Sequence, residues 1–245
     1  MPRERFGSAS AVHKRFLKWE RAGLFEAIWK AGLAEYNQME GIAWRWQSID
    51  GAMFKAPLAQ EAVGWNPTDR GKKGQQATPA GGRAGVPLSI VVTGANEQDV
   101  TQIDAVLQFI MVKRKTPALR RNKHLCADAG YRGKPAMEVI LDHGYIAHVA
   151  DRRKEADNKR RDPKKKARRW VVEVCHSWFN GFRKLFVRHE KLERSFLALN
   201  HLAAAIIALR KVPLRVNIIS GYILGCPRAC GFCFMQAADA PSRSQ

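Results

Sequence analysis

Val86 to Thr93 reads VPLSIVVT, and no other segment constrains the fold of this chain as tightly. A β-branched run bounded by Gly85 and Gly94 predicts a buried strand. Trp46 to Ile49, His124 to Ala127 and Tyr145 to Val149 are shorter runs of the same kind. Helical periods alternate with them. Asp99 is placed as the N-cap of a helix carrying Ile103, Val106, Leu107 and Ile110, and Lys134 to His143 reads as a helix stopped at Gly144. Helical spacing returns from Trp170 to Phe186 and from Ser195 to Arg210. Upstream, residues 11–40 form a helical stretch broken at Gly23. Residues 56–85, rich in Gly and Pro, read as loop. Strands alternating with helices predict an α/β sheet, and 245 residues with 46% hydrophobic content suffice for a real core.

Three acids stand where such runs end or are interrupted: Asp50 in WQSIDGAMFKAP, Asp128 in KHLCADAGY and Glu173 in RRWVVEVCHSW. Each has Lys or Arg close by in sequence. Carboxylates of this kind can bind a divalent metal, and three that converge are what metal-dependent phosphodiester cleavage requires. Each also has a plainer reading: a turn residue for Asp50 and Asp128, a solvated helix residue paired with Arg169 for Glu173. Asp69, Asp99 and Asp104 are weaker candidates, since Asp99 suits a helix cap and Asp69 lies in the loop. Around Glu173, Arg169, His176 or Ser177, Asn180 and Arg183 or Lys184 recur on one helix face, with Trp170, Val174 and Trp178 on the apolar side.

Charge narrows the partner. With 42 Lys and Arg against 22 Asp and Glu, the net charge is +20 and the pI about 10.2, so polyanions are the expected ligands and nucleic acid comes first. Arg152 to Arg169 alone holds eleven cations in eighteen residues. It reads as a solvated loop or as a segment lying along DNA. Trp44, Trp46 and Trp65 are core residues or base-stacking platforms. Five cysteines without a framework fit a reducing compartment. The N-terminus lacks a secretory core, and Phe196 to Leu209 is too short to span a bilayer. A cytosolic location is expected.

DGAMFKAP, NPTDRGKKG, GVPLSIVVTGANEQD, HLCADAGY and WVVEVCHSWFNGFRKLFVRHEK together resemble the DDE transposases of bacterial insertion sequences, in the group named after insertion sequence five. The likeness runs from about Pro2 to Arg210, with the motifs in the family's order. It implies an RNase H-like mixed sheet flanked by helices, preceded by a short N-terminal helical segment. The first acid belongs on the first strand, the second after the fourth, the third on a following helix. Asp50, Asp128 and Glu173 are then the catalytic and metal-binding triad, for Mg²⁺ or Mn²⁺. Asp50 is expected to bridge two ions about 3.5–4 Å apart, with Asp128 and Glu173 each completing one shell. Lys55, Arg70, Lys72, Lys73, Arg168, Arg169, Arg183 and Lys184 are the cations expected on DNA phosphates. The implied reaction is strand cleavage at element ends followed by strand transfer, on double-stranded DNA, by a homodimer in the bacterial cytoplasm at the nucleoid. The expected division is 1–43, a partial DNA-binding helical region; 44–210, the catalytic domain; and 211–245, a tail unlike the family.

The chain departs from the pattern in three places. Relatives carry further helical residues before RERFGS, so end recognition is expected to be incomplete. At Gln75 to Ala84 the family has something like SKRRLLVDAR, where this chain has QQATPAGGRA. Codons for QQATPAGGRA read SKRRLLVDAR when shifted by one base, so an inserted base with a compensating deletion would explain the segment. Coil is expected there, leaving the Asp50 strand poorly paired. The tail holds Cys226-x3-Cys230-x2-Cys233, a spacing that resembles the iron–sulfur motif of radical S-adenosylmethionine enzymes. Three Cys fall short of a closed zinc site, and read-through into neighbouring DNA is the expected origin. Two alternatives to an active transposase stand: a remnant that only binds DNA, and an unrelated metal-dependent nuclease of the same fold.

Overall fold

The computed structural model describes residues 3–82, 85–112, 123–149 and 170–211. Its N-terminal region forms α1 (Arg3–Phe6), α2 (Ala9–Arg21) and α3 (Leu24–Met39). Ser8 caps α2, its hydroxyl oxygen accepting the Ala11 N–H at 3.2 Å. The expected break falls at Gly23, whose φ of +67° suits a residue without Cβ. Phe25, Trp29, Leu33 and Tyr36 recur at helical spacing on α3 and are the face it buries.

The strands are β1 (Trp46–Ile49), β2 (Ala52–Lys55), β3 (Gly64–Asn66), β4 (Lys72–Gly81), β5 (Pro87–Gly94), β6 (Lys123–Ala127) and β7 (Tyr145–Val149), joined in one sheet. Across its centre the order is β5-β4-β1-β6-β7: β5, β4 and β1 run antiparallel, while β1, β6 and β7 run parallel. Three antiparallel strands followed by two parallel ones is the RNase H-like arrangement. β2 and β3 pair with β4 further along. Ile49 faces Ala80 and Ala52 faces Ala77, so β1 and β2 hold one continuous register against β4. Asp50 and Gly51 lie in the interval between them, opposite Thr78 and Pro79. A proline without an N–H is tolerated in the middle of β4 because the ladder on that side is interrupted there.

The expectation of loop and poor pairing over residues 56–85 is therefore corrected. Gln75 to Gly81 is strand, paired with β5 from Gln75–Gly94 to Gly81–Pro87 and with β1 at Gly81 and Ala80. Backbone pairing does not depend on side-chain identity, and small residues fit a crowded central strand. Their chemistry is less suited. Gln75, Gln76, Thr78 and Ser89 are buried, and both amide atoms of Gln75, Gln76 Oε1, Ser89 Oγ and Thr93 Oγ1 have no hydrogen-bond partner.

A 3-10 turn (Asp99–Gln102) leads into α4 (Ile103–Gln108), and a second (Ala129–Tyr131) follows β6 before α5 (Lys134–Asp142). After these come α6 (Trp170–Asn180), α7 (Arg183–Phe186) and α8 (Glu193–Lys211). The helix expected over residues 170–186 is thus two, separated at Gly181 and Phe182. Helices cover both faces of the sheet. On one, α3, α6 and α8 pack Trp29, Leu33, Cys175, Phe179 and Phe196 against Leu88, Ile90 and Val92. On the other, α4 and α5 pack Ile103, Val106 and Ile140 against Ile49, Leu125 and Ala127. No helix among the described residues is long and apolar enough to cross a membrane.

Candidate active site

β1 and β6 are adjacent parallel strands in the register Trp46–His124, Gln47–Leu125, Ser48–Cys126. Two residues further along both strands the register reaches Asp50 and Asp128. Both acids follow directly on their strands, and neighbouring strands lie about 4.8 Å apart, so the parallel pairing brings Asp50 and Asp128 to adjacent strand ends. Both are half-buried. Asp50 Oδ1 accepts the following N–H, that of Gly51, at 3.0 Å.

α6 brings the third acid. It packs across β4 and β1, with Cys175 against Gly81, which stands opposite Ser48. His176 is the direct tie, its Nε2 3.2 Å from the carbonyl oxygen of Asp50. Glu173 is one helical turn earlier on the same side of α6 and is exposed. Burial pulls the His176 pKa below its usual value; the bond to Asp50 and the charge of Glu173 oppose that shift. A neutral imidazole donating Nε2–H to a carbonyl is the consistent form.

Asp99 also belongs to this neighbourhood, which corrects its reading as a helix cap. The residue in the cap position is Gln98, and no side-chain cap bond forms. Asp99 Oδ1 instead accepts from Gln76 Nε2. Burial raises its pKa; the Gln76 bond works against this and the charge of Asp128 adds to it. Tyr131 belongs to the core that α4 and α5 bury. It is fully buried, its hydroxyl has no hydrogen-bond partner, and its pKa is raised by burial and then by Asp99, Asp50 and Asp128 in that order. Sequence reading passes over Asp99 because an acid before an apolar helical period is also what a cap looks like. The available signal was its place just beyond the end of a central strand, in GANEQD.

Asp104 is a surface acid, held by His143 at 2.8 Å and Gln108 at 2.7 Å. Among the described residues, four of the predicted DNA-contacting cations cluster on the β3–β4 hairpin, away from the ends of β1 and β6. Arg70, Lys72 and Lys73 are exposed at the far end of the β3–β4 hairpin, and Lys55 joins them there, 3.6 Å from Asp69. Gly74 lies six residues before Ala80 on β4, roughly 20 Å at about 3.3 Å per residue. Arg183 and Lys184 are exposed on α7. Arg168, Arg169, the rest of the 152–169 run and Cys226, Cys230 and Cys233 lie outside the described residues.

The oxygen donors suit a hard divalent cation such as Mg²⁺ or Mn²⁺. Among the described residues, however, no three His, Cys, Asp or Glu side chains meet closely enough to form a finished metal site. The donors suit such an ion in chemistry, but among the described residues they are not brought together as a metal-binding group.

The sheet carries one acid directly after β1 and another directly after β6. Residues 125–210 match the family described as Transposase DDE domain. A Burkholderia cepacia protein assigned as a transposase for insertion sequence element IS402 is 34% identical over 131 residues. That alignment spans 53% of this chain and 60% of the relative, so the chain spans under two thirds of the relative's length. Among solved structures, the Mos1 mariner paired end complex with Mn matches at TM-score 0.32 and 11% identity, over 78% of this chain and 62% of that one. The catalytic domain of Mos1 mariner transposase matches at TM-score 0.32 and 10% identity, over 76% and 90%. Over these stretches the chain is similar to a DDE transposase domain and to a transposase of a bacterial insertion sequence.

Proposed function

We propose that this chain is a DNA transposase whose reaction is divalent-cation-dependent cleavage of phosphodiesters at the ends of an insertion sequence, followed by strand transfer. The observation that most supports this reading is the in-register placement of Asp50 and Asp128, with the Glu173 helix tied to Asp50 through His176. In it, Asp50, Asp128 and Glu173 hold the cations, which would activate the attacking oxygen and neutralise the leaving one. His176 fixes the end of β1, so that Asp50 and the α6 acid keep one relative position. Lys55, Arg70, Lys72, Lys73, Arg183 and Lys184 bind the backbone of double-stranded DNA away from the reacting bond. Arg168 and Arg169 are proposed to extend that track. Two copies on one DNA would join two element ends.

The second reading, a remnant that binds DNA without cutting, is favoured by one observation: the unpartnered amides buried in β4, beside the Asp50 strand. Both are tested on a supercoiled plasmid carrying the DNA that flanks the gene. The transposase reading expects Mg²⁺-dependent nicking that Asp50→Ala abolishes while DNA binding survives. Binding without nicking by the unmodified chain sinks it in favour of the remnant.

A further inference from the structure

We propose that the edge of the sheet where the β3–β4 hairpin meets the end of α7 is a binding track for an unpaired DNA strand: Trp65 and Phe186 stack on its bases, and the cations around them hold its phosphates. The inference rests on the reading of the chain as a DNA-binding transposase, and adds to it a preference that contacts with duplex phosphates do not explain.

Of the three tryptophans that sequence offers as stacking platforms, two are engaged within the fold. Trp46 is stacked on His124 at 4.2 Å, and Trp44 packs against the core of α3, α6 and α8. Trp65 is 69% exposed and Phe186 61%, the two most exposed large apolar side chains among the described residues. One exposed apolar residue is ordinary, but these two come to the same edge. Trp65 stands directly opposite Lys73 across the hairpin. On the other side of β4 the Ala56 N–H donates to the Lys73 carbonyl at 3.1 Å. Lys55 pairs with Val187, the residue that follows Phe186, and its carbonyl accepts the Arg188 N–H at 2.9 Å. β3, β4, β2 and Val187 therefore lie side by side, spanning three strand spacings or roughly 15 Å.

Cations fill the same edge. Lys55, Arg70, Lys72, Lys73, Arg183 and Lys184 are all exposed. Asp69 holds Lys55 at 3.6 Å and Glu190 holds Lys184 at 3.8 Å. Arg70, Lys72, Lys73 and Arg183 form no ion pair among the described residues. The turn between Trp65 and Lys72 is pinned by buried Asn66, whose Oδ1 accepts the Thr68 N–H at 2.9 Å and the Thr68 hydroxyl at 2.7 Å. Exposed aromatic rings set among cations are the surface that binds single strands: the charges follow the backbone and the rings stack on bases of any sequence. Within a duplex the neighbouring base pairs cover both faces of each base, so an unpaired base is the one that offers a face to Trp65.

Fluorescence anisotropy of the full chain tests this with a labelled oligothymidylate of about 15 nucleotides against a duplex of the same length. Trp65→Ala and Phe186→Ala should each raise the Kd for the single strand roughly 5- to 150-fold, while the Kd for the duplex and the melting temperature hold. Trp65→Phe, which keeps a ring, should retain most of the affinity. Lys73→Ala should weaken binding to both DNAs. Wild-type affinity of Trp65→Ala for the single strand, or an equal loss on both DNAs, overturns the inference. If Trp65→Ala does not fold, Phe186→Ala at wild-type affinity is enough to overturn it. A chain that binds the duplex and ignores the oligothymidylate also overturns it, and leaves the functional reading standing. If the unmodified chain binds neither DNA, both fall together.

Discussion

His176 joins the helix of Glu173 to the strand of Asp50 through one contact at 3.2 Å, and burial keeps its imidazole from charging. His201, its ring tilted against Trp29 at 5.3 Å between α3 and α8, has its pKa lowered for the same first cause. The sign follows. Above the unfolded value of about 6.5 both imidazoles are neutral in either state, and their full contribution to stability is present. As pH falls below it, the unfolded chain takes up protons that the folded chain resists. Stability is lost progressively down to the depressed folded values. Urea denaturation at pH 7.5 and pH 5.5 should give a lower midpoint at the acid pH, and His176→Asn should reduce that difference. A midpoint unchanged between the two would contradict the burial of these histidines. At this scale Asp50 and Asp128 were legible because each ends an apolar run, which places it at a strand terminus from local pattern alone. Asp99 was not, because its neighbours Gln76, Gly51 and Gly130 lie 23 to 48 residues away in sequence and no local pattern links them.

β4 is the element where sequence and structure part. Its composition, with adjacent Gln, a Pro and paired Gly, argued for coil, yet it fills the gap between β1 and β5 because the ladders on both sides need a strand there. Position in the sheet overrides propensity. The consequence is energetic. Gln75 faces the Trp29–Phe196 core beside Phe54 with both amide atoms unpaired. Replacing it with Leu, of similar volume, should stabilise the fold by about 1–3 kcal/mol, a rise of about 2–4 °C in Tm for each kcal/mol, measured by calorimetry. A fall in Tm would mean the amide is satisfied. Arg188 is the opposite case. It is fully buried, but its guanidinium donates to the carbonyls of Glu190, Glu61 and Lys191 at 2.8, 2.9 and 3.1 Å. It fastens the loop after β2 to the chain before α8. Nothing in KLFVRHEK distinguished it from a surface cation, since its partners are backbone atoms.

For the whole molecule the governing quantity is the charge of +20. A protein that binds DNA through phosphates should show a log–log salt dependence with slope about −0.9 per contact. Lys72→Ala and Lys73→Ala should each flatten that slope by about 1 and weaken binding equally across sequences. Lys55→Ala should change it less, because Lys55 already has Asp69 at 3.6 Å. Fluorescence anisotropy over a salt series measures both, and an unchanged slope in Lys73→Ala removes the hairpin end from the DNA track. The sequence by itself determined that Asp50 and Asp128 end strands, that the N-terminal helices break at Gly23 and that the architecture is α/β, because these follow from local periodicity. Only the tertiary structure decided that β4 is a strand, that the hairpin cations stand away from the strand ends, and that Asp99 pairs with Gln76 beside Gly51. Those facts depend on register and on close approach between distant segments, and backbone pairing enforces both whatever the local side chains prefer.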